Sequence, residues 1–362
     1  MERALVDEFI ELVSIDAESG DEAEIAAHVM SKLREIGLDV EMDDAGTKFG
    51  GNAGNVIGRA GEGDPIILCA HLDRVKPGKG IKPVVDDGII RSSGDTVLAA
   101  DDISGVVAIL AGLREAKKHK PLPAVEVVFT VSEETRLQGS RHLDYNRLRS
   151  KMAYIFDASS PVGTVITSSP THVGFEAHVA GQAAHAAVNP QDGVSAIRAA
   201  VFAISKLPFG WVDDHTTTNV GVLSGGAATN IVCDSVKFKG EIRSLVASRA
   251  SQLANEFTAT IVSEAETHGA TADVMTRVEY SGYTIAPSAP VVVRVVEALG
   301  RIGITATFES TMGGSDGNIF NANGISSVVL GTGCSLVHST REFIHVSELV
   351  ASARLVESLL TS

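Results

Sequence analysis

Ile66-Ile67-Leu68-Cys69-Ala70-His71-Leu72-Asp73 is an unbroken apolar run closed by an imidazole and a carboxylate. A short run of this kind reads as a buried strand, with His71 and Asp73 at its mouth. Successive strand residues point to opposite faces, so His71 and Asp73 share one, and Asp73 is placed to orient the imidazole through its second nitrogen. The chain carries its own warning, because His142-Leu143-Asp144 repeats the tripeptide after polar Gly139-Ser140-Arg141 and reads as surface structure. Alone, His71 reads more readily as a structural histidine than as a ligand.

Outward from this strand, apolar runs at 55–57, 125–131 and 153–156 alternate with a helical stretch at 105–116, the order of an α/β sheet. Ligands in such sheets bind beyond the carboxyl ends of the strands, so those ends carry the search for a site. From about His172 the pattern changes. Val173, Phe175, Ala177 and Val179 alternate, a helix covers 194–207, strand-like runs fall near Val220 and at 236–242, a helix with Leu253, Phe257 and Ile261 follows, and a strand spans 272–280. That β-α-β-β-α-β order is a ferredoxin-like unit inserted into the first domain. The α/β style then resumes with a helix at 291–302, a strand at 326–330 and a last helix holding Leu349, Val356 and Leu360 on one face. The expected boundaries are 1–171 and 284–362 for a discontinuous catalytic domain and 172–283 for the insert.

Acids and imidazoles recur at the strand ends. Asp101-Asp102 precedes a helix, where an acid often only caps free N–H groups, although two adjacent acids allow one to cap and the other to face a metal. Ser132-Glu133-Glu134 ends a strand and reads either as a solvated turn or as paired carboxylates whose repulsion a cation relieves. Asp157 ends Tyr154-Ile155-Phe156, and His338 lies in Leu336-Val337-His338-Ser339. Together these side chains are enough to hold two divalent ions with one shared carboxylate, leaving another carboxylate as general base.

Composition narrows the remaining classes. The 362 residues suffice for two cores, with 44% hydrophobic and 21% charged residues. A net charge of −15 argues against a nucleic-acid partner, and no apolar run is long enough to cross a bilayer. Residues 1–14 read as a core-facing helix rather than a signal peptide, and Cys69, Cys233 and Cys334 lack paired spacing, so a cytoplasmic, reducing location is expected. Any metal must then use His, Asp and Glu.

At this point the chain resembles metallopeptidase family M20. The resemblance runs over Ala70-His71-Leu72-Asp73, Ala100-Asp101-Asp102, Ser132-Glu133-Glu134, Phe156-Asp157, residues 181–193, Gly240-Glu241-Ile242-Arg243 and His338-Ser339-Thr340-Arg341-Glu342-Phe343, in family order. It implies a zinc-peptidase-type mixed-sheet α/β catalytic domain with an inserted lid or dimerisation domain, whose sheet edge and helix could pair with a second copy as a homodimer; the family includes both dimers and monomers. It implies that His71 and Asp157 bind one zinc, Glu134 and His338 a second, and Asp101 both, with Asp73 supporting His71 and Glu133 activating a bridging water. His185, in Gly181-Gln182-Ala183-Ala184-His185-Ala186, would stabilise the oxyanion, and Asn230 and Arg243 would contact substrate. His345 lies beyond the motif and is assigned to structure.

Two positions depart from the family: Ile103 stands where many members have Lys, and Ala187 where Gly is common. Gly313-Gly314-Ser315-Asp316-Gly317 is similar to a segment of the peptidase T-like branch, which favours an aminopeptidase of tripeptidase type acting on short peptides. The alternatives are a carboxypeptidase or N-acyl-amino-acid deacylase with the same centre, and a non-catalytic relic of the fold. Cobalt or manganese would serve such carboxylate-rich sites as well as zinc.

Overall fold

All six residues of the strand Ile66–His71 are buried, and they alternate between two cores. Ile66, Leu68 and Ala70 belong to one apolar cluster, and Ile67 and Cys69 to another. A strand covered on both faces has no reason to alternate apolar with polar residues, which is why its sequence is continuously apolar. The computed structural model describes residues 2–119 and 121–361. Its contacts divide into a first unit of Met1–Thr167, Thr284–Ser310 and Ser315–Ser362, and a second of Ser168–Tyr283 with Thr311–Gly314. The sequence reading kept residues 168–171 and 311–314 with the first domain, whereas here they group with the second.

In the first unit the sheet runs Asp39–Met42, Val56–Ala60, Val125–Thr130, Ile66–His71, Met152–Ala158 and Ser326–Gly331. The last four of these are mutually parallel, and Val56–Ala60 joins antiparallel, so the sheet is mixed. The helices Ala100–His119 and Val346–Leu360 pack over one face. A separate small sheet pairs Cys334–Ser335 with Phe343–His345, and that strand with Ile89–Ser92. It holds the loop between its first two strands at both ends.

In the second unit a five-stranded antiparallel sheet has the order Gly210–Asp213, Thr216–Gly225, Ser235–Ser244, Thr171–Ala180 and Thr271–Tyr280. The strand Gly210–Asp213 is additional to the four expected. It is only four residues long and mostly exposed, so it carries little apolar alternation to read. The helices Ala196–Lys206 and Ala247–Thr267 bury one stripe each against one face, the second through Leu253, Phe257 and Ile261. Ser195 caps the first, its hydroxyl accepting the Arg198 N–H.

Candidate metal centre

The carboxyl ends of the four parallel strands deliver the proposed site. His71 ends one strand, Asp157 lies near the end of the next, Glu133 and Glu134 follow Val125–Thr130, and the loop with His338 follows Ser326–Gly331 by way of the small sheet. Asp101 stands at the start of Ala100–His119, where the Asp101-Asp102 peptide is cis and the backbone leaves helical geometry. Gly105, in the first turns of that helix, touches the sheet. A Cβ there would lie 2.4 Å from the Phe156 carbonyl oxygen and 2.6 Å from Asp102 Oδ1, so only glycine lets the helix start approach the Asp157 strand.

Asp101 sits between the two histidines. Its Oδ1 is 3.2 Å from His71 Nε2 and its Oδ2 is 3.4 Å from His338 Nε2. His71 Nε2 is also 3.5 Å from Asp157 Oδ1, and His338 Nε2 is 2.9 Å from Glu134 Oε1. Donor atoms of His71, Asp101 and Glu134 lie within 4.8 Å of one another, as do those of His71, Asp102 and Asp157. All five expected ligands are thus brought together. Asp102 turns the other way, with Oδ2 accepting the His71 N–H and Oδ1 the Gly105 N–H. One acid of the pair braces backbone while its neighbour faces the imidazoles.

Asp73 does more than support His71. His71 Nδ1 lies 3.0 Å from the Asp73 carbonyl oxygen and 3.4 Å from its Oδ1, so both groups turn Nε2 toward Asp101. The Asp73 carboxylate also accepts the N–H groups of Glu133 and Glu134, at 2.9 and 3.2 Å, and the Ser19 hydroxyl at 2.6 Å. Glu22 braces the same turn by accepting the Ser132 N–H and hydroxyl. Glu342 holds the Asp101 turn through three N–H groups. The sequence pointed to neither role, because a backbone acceptor leaves no motif of its own.

The electrostatics are those of a site short of positive charge. Burial raises the Asp157 carboxyl to about 7, with Asp101 and Asp316 adding to the rise against the pull of His71. Burial also lifts Glu133 well above the usual carboxylate range, aided by Asp157, Asp316 and Glu134. Asp101 and Glu134 raise His338 to about 10. Burial works against a proton on His71, yet Asp101, Asp157 and Asp73 outweigh it and hold that imidazole well above its ordinary value. Protons here do the work of cations, and divalent ions can displace them, so the donor set fits a metal pair.

Backbone strain gathers in the same place. Among the described residues, the non-glycine residues with positive φ are Ala99, Ser132, Arg136, Leu137, Leu336, His338 and Asp87, and all but the last lie within three residues of an expected ligand. Left-handed conformations are costly for such residues and persist where the surroundings over-determine them, typically at functional sites.

The other expected contacts lie in the second unit. His185 and Asn230 are exposed neighbours, with the Ala186 N–H donating to the Asn230 carbonyl. His185 Nδ1 accepts the N–H groups of Ala187 and Val188, which places the ring proton on Nε2. Arg243 is forked onto Glu241, at 3.1 Å from Nε and 3.1 Å from Nη2, and Nη1 donates to the Met312 carbonyl. His345 is exposed and stacks edge-on against Phe343.

Fold and cluster together define a metal-dependent hydrolase of the peptidase class. Residues 167–269 match the profile of the peptidase dimerisation domain, and residues 55–198 that of peptidase family M28. The chain is 36% identical to the uncharacterised protein YqjE of Bacillus subtilis, over 99% of this chain and 98% of that one. Its fold matches aminopeptidase PepT from Bacillus cereus with a TM-score of 0.92 and 38% identity, and a tripeptidase from Staphylococcus aureus with 0.96 and 36%. In both cases 99% of this chain and 98% of the other are covered. The chain belongs to metallopeptidase family M20, in its peptidase T-like branch. No helix among the described residues is long and apolar enough to cross a membrane.

Proposed function

We propose that the protein is a two-zinc aminopeptidase of tripeptidase type acting on short peptides. The observation that carries this reading is the position of Asp101, one carboxylate oxygen toward each of two histidines that have carboxylates of their own. His71 and Asp157 would hold one ion, His338 and Glu134 the other, and Asp101 would be shared between them. Such a pair, when bound, would polarise the scissile carbonyl and lower the pKa of water. Glu133 takes a proton from the attacking water and passes it to the leaving amine as the C–N bond breaks. Burial, with Asp157 as the next cause, lifts its carboxyl well above the usual carboxylate range. His185, with its proton on Nε2, donates to the developing oxyanion. Asn230 lies beside it and takes a polar group of the substrate.

Two observations favour the aminopeptidase over a carboxypeptidase or deacylase. The two solved structures named above are described as an aminopeptidase and a tripeptidase. In addition, Arg243, the cation that would meet a substrate carboxylate, already has a carboxylate on its fork. The second unit supports a homodimer: Ile197, Val201 and Phe202 on one helix and Val222 and Leu223 on one strand are exposed apolar residues. The three free cysteines agree with a cytoplasmic location. The test is a parallel digest of a tripeptide with a free amino terminus and its N-acetylated form. The free peptide is cleaved and the blocked one is not; the reverse result establishes the deacylase instead.

A further inference from the structure

The turn that delivers Asp101 has a structural difficulty. Leu98 and Ala99 are buried, and Ala99 has a φ of 62°, so the N–H groups here cannot join a regular helical ladder. The Glu342 carboxylate, itself 2% exposed, resolves it. Oε2 accepts the N–H groups of Leu98 and Ala99, each at 2.8 Å, and Oε1 accepts that of Asp101 at 2.9 Å. Charge-assisted bonds of this kind are about twice as strong as neutral ones.

Glu342 lies four residues beyond His338, in the loop that the small sheet holds at both ends, and its own N–H donates to the Ser339 carbonyl. One side chain therefore ties the loop carrying His338 to the turn carrying Asp101. A buried acid close to Asp101 works against stability, since an apolar contact would cost less in desolvation. Its backbone bonds give it a reason to be there.

We propose that Glu342 is a positioning residue that presets Asp101 between His71 and His338 before any metal binds. The inference rests on the reading of Asp101 as the shared ligand. A carboxylate whose two oxygens must each face a different imidazole needs its own backbone held. An amide cannot substitute for Glu342, because Gln offers one acceptor oxygen and would turn its NH₂ toward one of the three N–H groups.

Cobalt(II) titration of the metal-free protein tests this, reading affinity and the visible absorption spectrum for wild type, Glu342→Gln, Glu342→Asp and Asp101→Asn. Glu342→Gln is expected to weaken cobalt binding by about 10–100-fold and to change the spectrum. Glu342→Asp, which keeps the charge, is expected to recover part of both. A folded Glu342→Gln protein with wild-type affinity and spectrum overturns the proposal while leaving the metal reading intact. Wild-type behaviour of Asp101→Asn removes the metal reading and this inference with it. If Glu342→Gln does not fold, hydrogen exchange decides on the metal-free wild type: slow exchange at the amides of Leu98, Ala99 and Asp101 supports the clamp, and exchange at unprotected rates refutes it.

Discussion

The two units spend their interiors differently. Among the described residues the first buries Glu22, His71, Asp73, Arg74, Asp102, Glu133, Asp316 and Glu342, whereas the buried polar residues of the second are only Ser and Thr. Ionised groups removed from water are costly, and apolar residues of equal volume would often leave a domain more stable. The second unit follows that rule, with Phe175, Phe238, Phe257 and Ile261 in its apolar cluster and no buried ionisable Asp, Glu, His, Lys or Arg among the described residues. The first departs from it mostly near the carboxyl ends of its parallel strands; Glu126, near the start of Val125–Thr130, and Glu8, in the helix Glu2–Val13, are buried elsewhere and each faces an arginine. The difference separates a region shaped by chemistry from a region shaped by packing, and it does so without reference to any motif.

The largest effect should come from removing the charge in the first unit that grips nothing structural. Glu133→Gln keeps the shape and the backbone bond to Asp73, so cobalt stoichiometry should be unchanged while kcat falls by about 10²–10⁴-fold. Turnover near the wild-type rate would take Glu133 out of its role and place the buried charges of this unit on the side of structure.

Asp73→Asn comes next. Asp73 serves His71 on one side and the N–H groups of Glu133 and Glu134 on the other. Loss of one acceptor oxygen should lower cobalt affinity by about 10–100-fold and lower kcat as well, because ligand and base are loosened together. A change in affinity alone would show that Asp73 acts only through His71.

How much of this was legible differs between the same two units. Of the expected ligands, His71, Glu134 and Asp157 could be read because each ends or closely follows an apolar strand, and a strand end is visible in sequence, whereas Asp101 opens a helix and His338 lies in a loop. The long alternation from Val173 to Val179 was equally plain, and its buried positions are those residues. Acceptors such as Glu22 and Glu342 were not legible: their partners are N–H groups of residues 110 and more than 240 positions away, and any residue has an N–H. The hairpin of Pro83–Asp86 with Ile89–Ser92 also went unread, since its strands are short and half exposed. The pairing of Arg243 with Glu241 lay in plain view at i and i+2 on one strand face, yet the resemblance drew attention to the arginine alone.

That pair supplies the smallest effect, and the one that tests the second unit. His172 first, with Arg243, draws the Glu241 carboxyl down to about 2 against the opposing effect of burial. A carboxylate depressed in the folded state adds stability above its ordinary value near 4.5, and that contribution disappears as pH falls through about 2. With 38% of its side chain exposed, solvent screening reduces the contribution to about 1 kcal/mol. Glu241→Gln should therefore lower the unfolding free energy at pH 7 by about that amount, followed by the fluorescence of Trp211, the sole tryptophan and a residue of this unit. The gap between variant and wild type should close between pH 4.5 and 2, while cobalt binding at neutral pH stays unchanged. A gap that persists at pH 2 would mean that Glu241 stabilises by packing rather than charge, and a change in cobalt affinity would mean that the two units do not divide their work as their interiors suggest.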